Sequence, residues 1–211
     1  LFPYHKFNEK KVSDQIIDLI KKDKIVSLIS DAGTPTISDP GLILVKKCID
    51  ENLNIFPIPG PSAVTSAVSV SGFVDKYLFY GFLPKKKNEI KSIFNNLSKL
   101  DFTIVFFIPI SKINFYLSDF KKYFGDRKIV IAKEMTKMHE KFIRGDVSQV
   151  NNLVNNFSDQ ELKGEFTVVL SSKNKQKNIM NEINDSIKIE IKKMLKKYTH
   201  KDVVDFISKK E

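Results

Sequence analysis

Two hundred and eleven residues at 24.2 kDa allow one large domain or two small ones, and a chain this long buries roughly 70–75% of its unfolded surface without help from disulfides or metal. With 42% hydrophobic and 28% charged residues and one cysteine, Cys48, the composition excludes disordered and fibrous classes, a disulfide framework and a cysteine-built zinc site. The net charge of +10 points to polyanionic partners, but 33 of the 35 basic residues are Lys, and the fifteen Asn beside them are equally explained by an AT-rich coding bias.

Helix-like and strand-like segments alternate along the chain. The spacing of Ile16, Ile17, Leu19 and Ile20 predicts a helix over 14–22 with Ser13 as its N-cap. Residues 25–29 read as a strand, and Ser30–Gly41 as a loop dense in Gly, Pro and Asp. Asp39-Pro40 suits an N-cap followed by N1, so a helix is expected to run from there to about Glu51. A strand over 54–58, a small-residue helix over 62–71 and a strand over 77–80 complete a first block. Leu83–Lys87 reads as a linker. The second block reads as a helix over 91–99, a strand over 103–108, a helix over 113–123, strands at 128–132 and 141–143, a helix over 148–155 and a strand over 166–170. Lys/Asn-rich sequence follows, with helical stretches at 179–197 and 202–208; residues 173–211 hold 11 Lys against 6 acids. Strands alternating with helices imply crossover units and a largely parallel sheet. No apolar run approaches the ~20 residues of a membrane span. No signal or transit peptide is visible, and the lone cysteine suits a reduced, cytoplasmic setting. The sequence opens at Leu1 instead of Met, so it is expected to be a fragment whose true start lies upstream.

In open α/β sheets ligands gather beyond the carboxyl ends of the strands, and two loops occupy that position: Ser30-Asp31-Ala32-Gly33-Thr34-Pro35 and Pro59-Gly60-Pro61-Ser62-Ala63. Each feeds a predicted helix N-terminus, and Asp31 can accept from a ribose hydroxyl or pair with an ammonium group. Both also read as ordinary strand-to-helix turns. Neither matches a dinucleotide or triphosphate glycine motif. A third dense patch, Lys133–Glu140, carries Glu134 and His139 as acid/base candidates and Lys137 as a stabiliser of an alkoxide or phosphate. A structural role for a single His beside one Glu is the simpler alternative. Three scattered histidines, His5, His139 and His200, give no metal constellation. Lys85, Lys86 and Lys87 form a basic cluster after a proline, readable as phosphate contacts or as a solvated face.

Taken in order, Ser30–Gly41, Pro57–Ala63, Ser71-Gly72-Phe73, Gly81-Phe82-Leu83-Pro84-Lys85-Lys86, Ala132–Glu140, Arg144-Gly145, Lys163–Phe166 and Tyr4-His5 with Asn8-Glu9 resemble the small-subunit ribosomal RNA (cytidine-2′-O)-methyltransferase family, within the tetrapyrrole-methylase superfamily. The resemblance covers nearly the whole chain. It implies a two-lobed α/β fold, mostly parallel sheet in the first lobe (1–82), mixed sheet in the second (83–172), and a basic helical tail (173–211). It implies S-adenosylmethionine in the cleft, against Asp31, Ala32, Gly33, Thr34, Ser62 and Ala63 from the first lobe and Phe107, Ile108, Ala132, Glu165 and Phe166 from the second. It further implies a homodimer that methylates a cytidine ribose of small-subunit RNA, with Lys85, Lys86, Lys87 and Arg144 on the RNA and no metal. Glu134 is then expected as base or base-orienter, with Lys137 and His139 handling phosphate or hydroxyl. The family pattern also has a strand and a Pro-containing loop ahead of Tyr4-His5, and more helical sequence beyond Lys210-Glu211, that this sequence does not contain. After the strand at 104–107 it has Glu-Ser-Pro-His-Arg, where this chain has Ile108-Pro109-Ile110-Ser111-Lys112. Two other readings remain open: a non-catalytic RNA-binding protein on the same scaffold, and a methyltransferase of tetrapyrroles or other small molecules.

Overall fold

A computed structural model describes residues 1–73, 76–125, 127–157, 164–173 and 185–208. Two compact units divide the chain, Leu1–Ser172 and Lys173–Glu211. The first opens with three helices, α1 (Glu9–Ile20), α2 (Leu42–Asp50) and α3 (Ala63–Ser69). Five strands follow with helices between them: β1 (Tyr77–Phe82), α4 (Lys87–Leu97), β2 (Thr103–Pro109), α5 (Ile113–Phe124), β3 (Lys128–Lys133), β4 (Lys141–Asp146), α6 (Val147–Asn155) and β5 (Glu165–Leu170). They form one mixed sheet in the order β1-β2-β5-β3-β4, parallel only at β1–β2. The strand at 77–82, expected to close the first block, therefore belongs to the sheet of the second.

The sheet is covered on both faces, so its central strands read as continuous apolar runs. On one face Ile104, Phe106, Ile108, Ile129, Ile131, Val168 and Leu170 meet α4, α5 and α6, where Phe94 packs on Phe106, Phe120 and Phe124 at ring separations of 5.2–6.1 Å. Burying each such ring contributes roughly 1.5–3 kcal/mol. On the other face Val105, Val130, Ala132 and Val169 lie under Val64, Ala67 and Val68 of α3. Arg127, 4% exposed, pins the sheet's end by donating to the carbonyls of Ser98, Leu100, Phe102 and Ser171.

Several expectations for the first block are corrected. Helix α1 begins at Glu9, and Ser13 is no cap: it lies buried mid-helix, its hydroxyl 2.9 Å from the Tyr4 hydroxyl. Helix α2 begins at Leu42 and not at Pro40, because Gly41 at φ 136° is not helical and the Pro40 carbonyl accepts from the Thr36 N–H. Among the described residues no strand precedes Tyr77. Residues 25–29 and 54–58 meet no partner strand among the described residues; Ile25 at 99%, Ile29 at 76% and Ile58 at 85% exposure stay in water, while Val26 packs against α1 and α2; a strand forms only where a neighbour accepts its backbone bonds. What holds this region is α1 on α2, through Val12, Ile16, Ile17, Leu44 and Cys48.

The second unit contains α7 (Asp185–Met194) and α8 (His200–Ser208). Thr199 caps α8: its hydroxyl accepts from the Asp202 N–H at 3.4 Å and donates to the Asp202 carboxylate at 2.6 Å. Residues 179–184 of the expected tail helix lie outside the described residues.

Candidate functional site

A cavity of about 430 Å³ lies where three parts of the first unit converge. Its floor is the pocket-side face of β2 and β5, with Phe107 and Thr167, joined by Glu165 and Phe166. Its walls are the loop 28–40 and the start of α3 at Ser62, Ala63 and Val64; Tyr4, His5 and Phe82 close the rim. Phe107 is flanked by Phe79 and Phe82 at 4.9 and 5.4 Å between ring centres, the rings inclined at 64° and 58°, and Phe107 and Phe82 give one side of the cavity an aromatic lining.

The loop keeps its shape through local chemistry. The Ser30 hydroxyl donates towards the carbonyls of Ala32 and Gly33, and the Thr34 hydroxyl donates to the Pro61 carbonyl at 3.2 Å, tying the two glycine-bearing loops together. Gly33 sits at φ 79° with open space where a Cβ would point. At the far end Gly41 is packed so closely that a Cβ would stand 2.8 Å from both Leu28 and Thr36 side chains. A bulge in β1 at Gly81 brings Ser38 alongside, where a Cβ on Gly81 would lie 3.0 Å from its hydroxyl. Ser62 caps α3, accepting from the Thr65 N–H.

Electrostatically the cavity is the reverse of the chain. The molecule carries +10, yet the lining includes Asp31, Asp39 and Glu165 and neither Lys nor Arg. Such a wall repels phosphate and attracts a cation.

Of the residues picked out in the sequence, Asp31, Ala32, Gly33, Thr34, Ser62, Ala63, Phe107, Glu165 and Phe166 come together around this cavity. Ile108 does not: the two-residue period of β2 sends it to the opposite face, fully buried under α4 and α5. Ala132 packs under α3 instead of lining the cavity. Glu134, Lys137 and His139 sit on the turn after β3, outside the lining. Burial would raise the Glu134 carboxyl, but hydrogen bonds from Lys137 and from the Glu165 N–H, with the charges of Lys137 and Lys133, hold it below the usual carboxylate range. Lys137 and His139 are exposed. Lys85, Lys86 and Lys87 leave β1 at one edge of the sheet, with Lys86 3.3 Å from Glu89 and Lys87 5.9 Å from the Phe115 ring centre. Arg144 lies on β4 at the other edge, donating to the Val70 carbonyl and stacked on Phe142. Four strand spacings put the two basic sites on the order of 20 Å apart. Among the described residues no group of three or more His, Cys, Asp or Glu could hold a metal ion, and no helix is long and apolar enough to cross a membrane.

Residues missed in the sequence are Tyr4, His5, Asp39, Phe82 and Thr167. Asp39 stood in the loop but was read as a helix cap. Tyr4 and His5 reach the cavity only because Tyr4 is tied to α1 through Ser13, which local pattern does not reveal.

Comparison with known proteins adds the following. A family profile described as "Tetrapyrrole (Corrin/Porphyrin) Methylases" matches residues 4–151. A Thermotoga maritima protein called "Ribosomal RNA small subunit methyltransferase I" is 44% identical over 174 residues, covering 82% of this chain and 77% of that protein. Its Bacillus subtilis namesake is 37% identical over 177 residues, 83% of this chain but only 60% of that protein. The crystal structure of the methyltransferase CobJ superposes with a TM-score of 0.56 at 15% identity, covering 76% of this chain and 70% of that one, a likeness of fold alone.

Proposed function

Because the chain belongs to the tetrapyrrole methylase family and, within it, to the group of ribosomal RNA small subunit methyltransferase I, we propose that it methylates the 2′-hydroxyl of a cytidine in small-subunit ribosomal RNA, with S-adenosylmethionine as donor. The observation that carries this reading is the cavity's charge: three carboxylates and no Lys or Arg on a chain of +10. That lining suits a donor bearing a sulfonium and an ammonium, and opposes a nucleotide bearing phosphates. The donor supplies an electrophilic methyl group when bound.

The protein's own residues supply placement. Asp31 offers a carboxylate to an ammonium or ribose hydroxyl, and Gly33, without a side chain, lets a ligand approach the backbone. Thr34, Ala32, Ser62 and Ala63 shape the wall opposite, and Phe107 gives an apolar floor with Thr167 beside it and Glu165 as a polar edge, while the Phe166 side chain is buried in the core. Holding a hydroxyl in line with the methyl carbon is worth up to ~7–11 kcal/mol of barrier, and a positioned base adds roughly 10²–10⁴-fold. Lys137 and His139, exposed on the turn after β3, are placed to meet a phosphate or hydroxyl of an incoming RNA. Lys85, Lys86, Lys87 and Arg144 offer phosphate contacts at the two edges of the sheet, and the second unit carries further lysines of its own. We assign the working form as a homodimer acting in the cytoplasm, in keeping with its substrate and its single reduced cysteine.

Tritiated methyl transfer to isolated small ribosomal subunits, compared with total tRNA and with porphyrinogens, tests the substrate. Label in small-subunit RNA alone is expected. Label in a porphyrinogen would replace the reading with a small-molecule methyltransferase, and RNA affinity without donor binding would replace it with an RNA-binding scaffold. Asp31→Ala is expected to abolish donor binding in calorimetry, and normal binding by that variant would overturn the assignment of the cavity.

A further inference from the structure

The turn after β3 is more tightly built than a surface loop requires. Glu134 and Thr136 take positive φ, 46° and 66°, which non-glycine residues rarely adopt. The Lys137 N–H donates to the Glu134 carbonyl at 3.0 Å, the Glu140 N–H to the Lys137 carbonyl at 3.1 Å, and the Thr136 N–H to the Glu140 carboxylate at 2.8 Å. These bonds turn the Glu134 side chain, only 19% exposed, towards the start of β5. There its Oε1 accepts from the Lys137 ammonium at 3.1 Å and from the Glu165 N–H at 3.4 Å. Gly164, at φ 99°, makes the approach possible: a Cβ there would stand 2.3 Å from that same oxygen. Glu165, Phe166 and Thr167 line the cavity while Glu134 does not, so the carboxylate stands behind the wall.

We propose that Glu134 is a positioning residue that fixes the Glu165–Phe166 wall of the cavity through the Glu165 N–H, with Gly164 as the glycine that admits its carboxylate. This rests on the reading that the cavity holds the methyl donor. A general base needs a free oxygen facing the reacting hydroxyl and an affinity for protons matched to the working pH. Glu134 lies outside the cavity lining, its Oε1 already accepts two hydrogen bonds, and the fold favours the ionised carboxylate.

The test is made in the full chain, with S-adenosylmethionine titrated calorimetrically and methyl transfer to small ribosomal subunits followed as a function of pH. Glu134→Ala, which removes the acceptor, is expected to raise the donor Kd about tenfold, the fold-change of one lost hydrogen bond to a charged group. Glu134→Gln keeps an acceptor oxygen and is expected to restore the Kd to within about threefold, with turnover largely kept and the pH profile unshifted. Gly164→Ala is expected to weaken donor binding when Glu134 is present and to add much less in the Glu134→Ala background, since the clash is with that carboxylate; the cycle cancels the backbone strain common to both. A loss of roughly 10²–10⁴-fold in turnover for Glu134→Gln with donor affinity intact, together with loss of a pH limb, would make Glu134 the base and overturn the proposal. So would an unchanged donor Kd in Glu134→Ala. If the unsubstituted chain binds no donor, the reading of the cavity itself fails; if it binds and transfers normally while Glu134→Ala keeps its donor Kd, only the positioning role fails.

Discussion

Gly33 and Gly41 stand at the two ends of the loop that walls the cavity, and replacing each by Ala separates backbone strain from steric fit. Both have positive φ, 79° and 136°, so either alanine incurs the penalty of an unfavoured backbone, about 1–3 kcal/mol. Only Gly41 incurs a second one. Its Cβ would meet Leu28 Cδ2 and Thr36 Cγ2, each at 2.8 Å, whereas at Gly33 nothing lies within 4 Å. Overpacking of that kind adds about 1–3 kcal/mol, so Gly41→Ala is expected to cost about 2–6 kcal/mol in all and Gly33→Ala about 1–3. At roughly 2–4 °C per kcal/mol for a chain of this length, Gly41→Ala lowers Tm by about 4–24 °C and Gly33→Ala by about 2–12 °C. Donor affinity should reverse the order of interest. Gly33 lines the cavity and a Cβ there would stand in open space beside the backbone, so Gly33→Ala is expected to weaken donor binding out of proportion to its small loss of stability. Thermal melts and donor calorimetry on the same two preparations decide it. Equal Tm losses for both variants, or normal donor affinity in Gly33→Ala, would refute the account of this loop.

Arg127→Met leaves the carbonyls of Ser98, Leu100, Phe102 and Ser171 without their donor; an expected loss of about 3–5 kcal/mol lowers Tm by roughly 6–20 °C, and a melt unchanged within about 2 °C would contradict it. Replacing Lys85, Lys86 and Lys87 together by Ala should weaken RNA binding uniformly across sequences and flatten the plot of log K against log salt by up to ~0.9 for each phosphate no longer neutralised, with donor affinity untouched; an unchanged slope would remove them from the interface. Lys137→Ala is expected to spare donor binding and lower RNA methylation, checked by calorimetry beside tritium transfer. The Glu134 carboxyl is held below its ordinary 4.5, so the fold favours its ionised form. Its contribution to stability is therefore complete above that value and disappears as pH falls through the lower folded value. The Tm difference between the unsubstituted chain and Glu134→Gln should shrink on acidification from neutrality to about pH 3; a difference that grew instead would reverse the sign assigned to the site.

Where local pattern determined structure, the sequence was legible. The apolar runs at 103–108, 128–132 and 166–170 are strands because the sheet they enter is covered on both faces, and the amphipathic spacing of α4, α5 and α6 places their apolar stripes on it. The loops at 30–35 and 59–63 could be expected to converge because both follow apolar runs and precede helices. Long-range partners could not be read. Residues 25–29 and 54–58 have strand composition, but a strand is a property of two segments, and neither meets a partner here. Phe107 and Ile108 are adjacent apolar residues whose fates differ only through register, one reaching the cavity and the other the core. The role of Glu134 depends on β3 and β5 pairing antiparallel with Lys133 opposite Phe166, which brings residues 31 positions apart into hydrogen-bond reach. Composition and spacing flagged Glu134 as chemically interesting; only that pairing shows what its carboxylate holds.

The distribution of charge also bears on how two unlike ligands would share one protein. A cationic donor and a polyanionic acceptor must meet at a single bond, yet phosphates drawn to a lysine-rich chain would compete for any basic cavity. Here the carboxylates of Asp31, Asp39 and Glu165 face the cavity, while Lys85, Lys86, Lys87 and Arg144 stand outside its lining at the sheet edges. At physiological ionic strength exposed charges are screened beyond about 8 Å. The acidic lining therefore dominates inside the cavity, and Lys85, Lys86, Lys87 and Arg144 act outside that lining. RNA can be gathered at the rim without its phosphates entering the donor's seat, so the excess of lysine aids association and leaves donor affinity to the carboxylates. Raising salt should accordingly weaken RNA binding far more steeply than donor binding, and parallel salt dependences for the two ligands would mean that the cavity and the edges are not electrically separate.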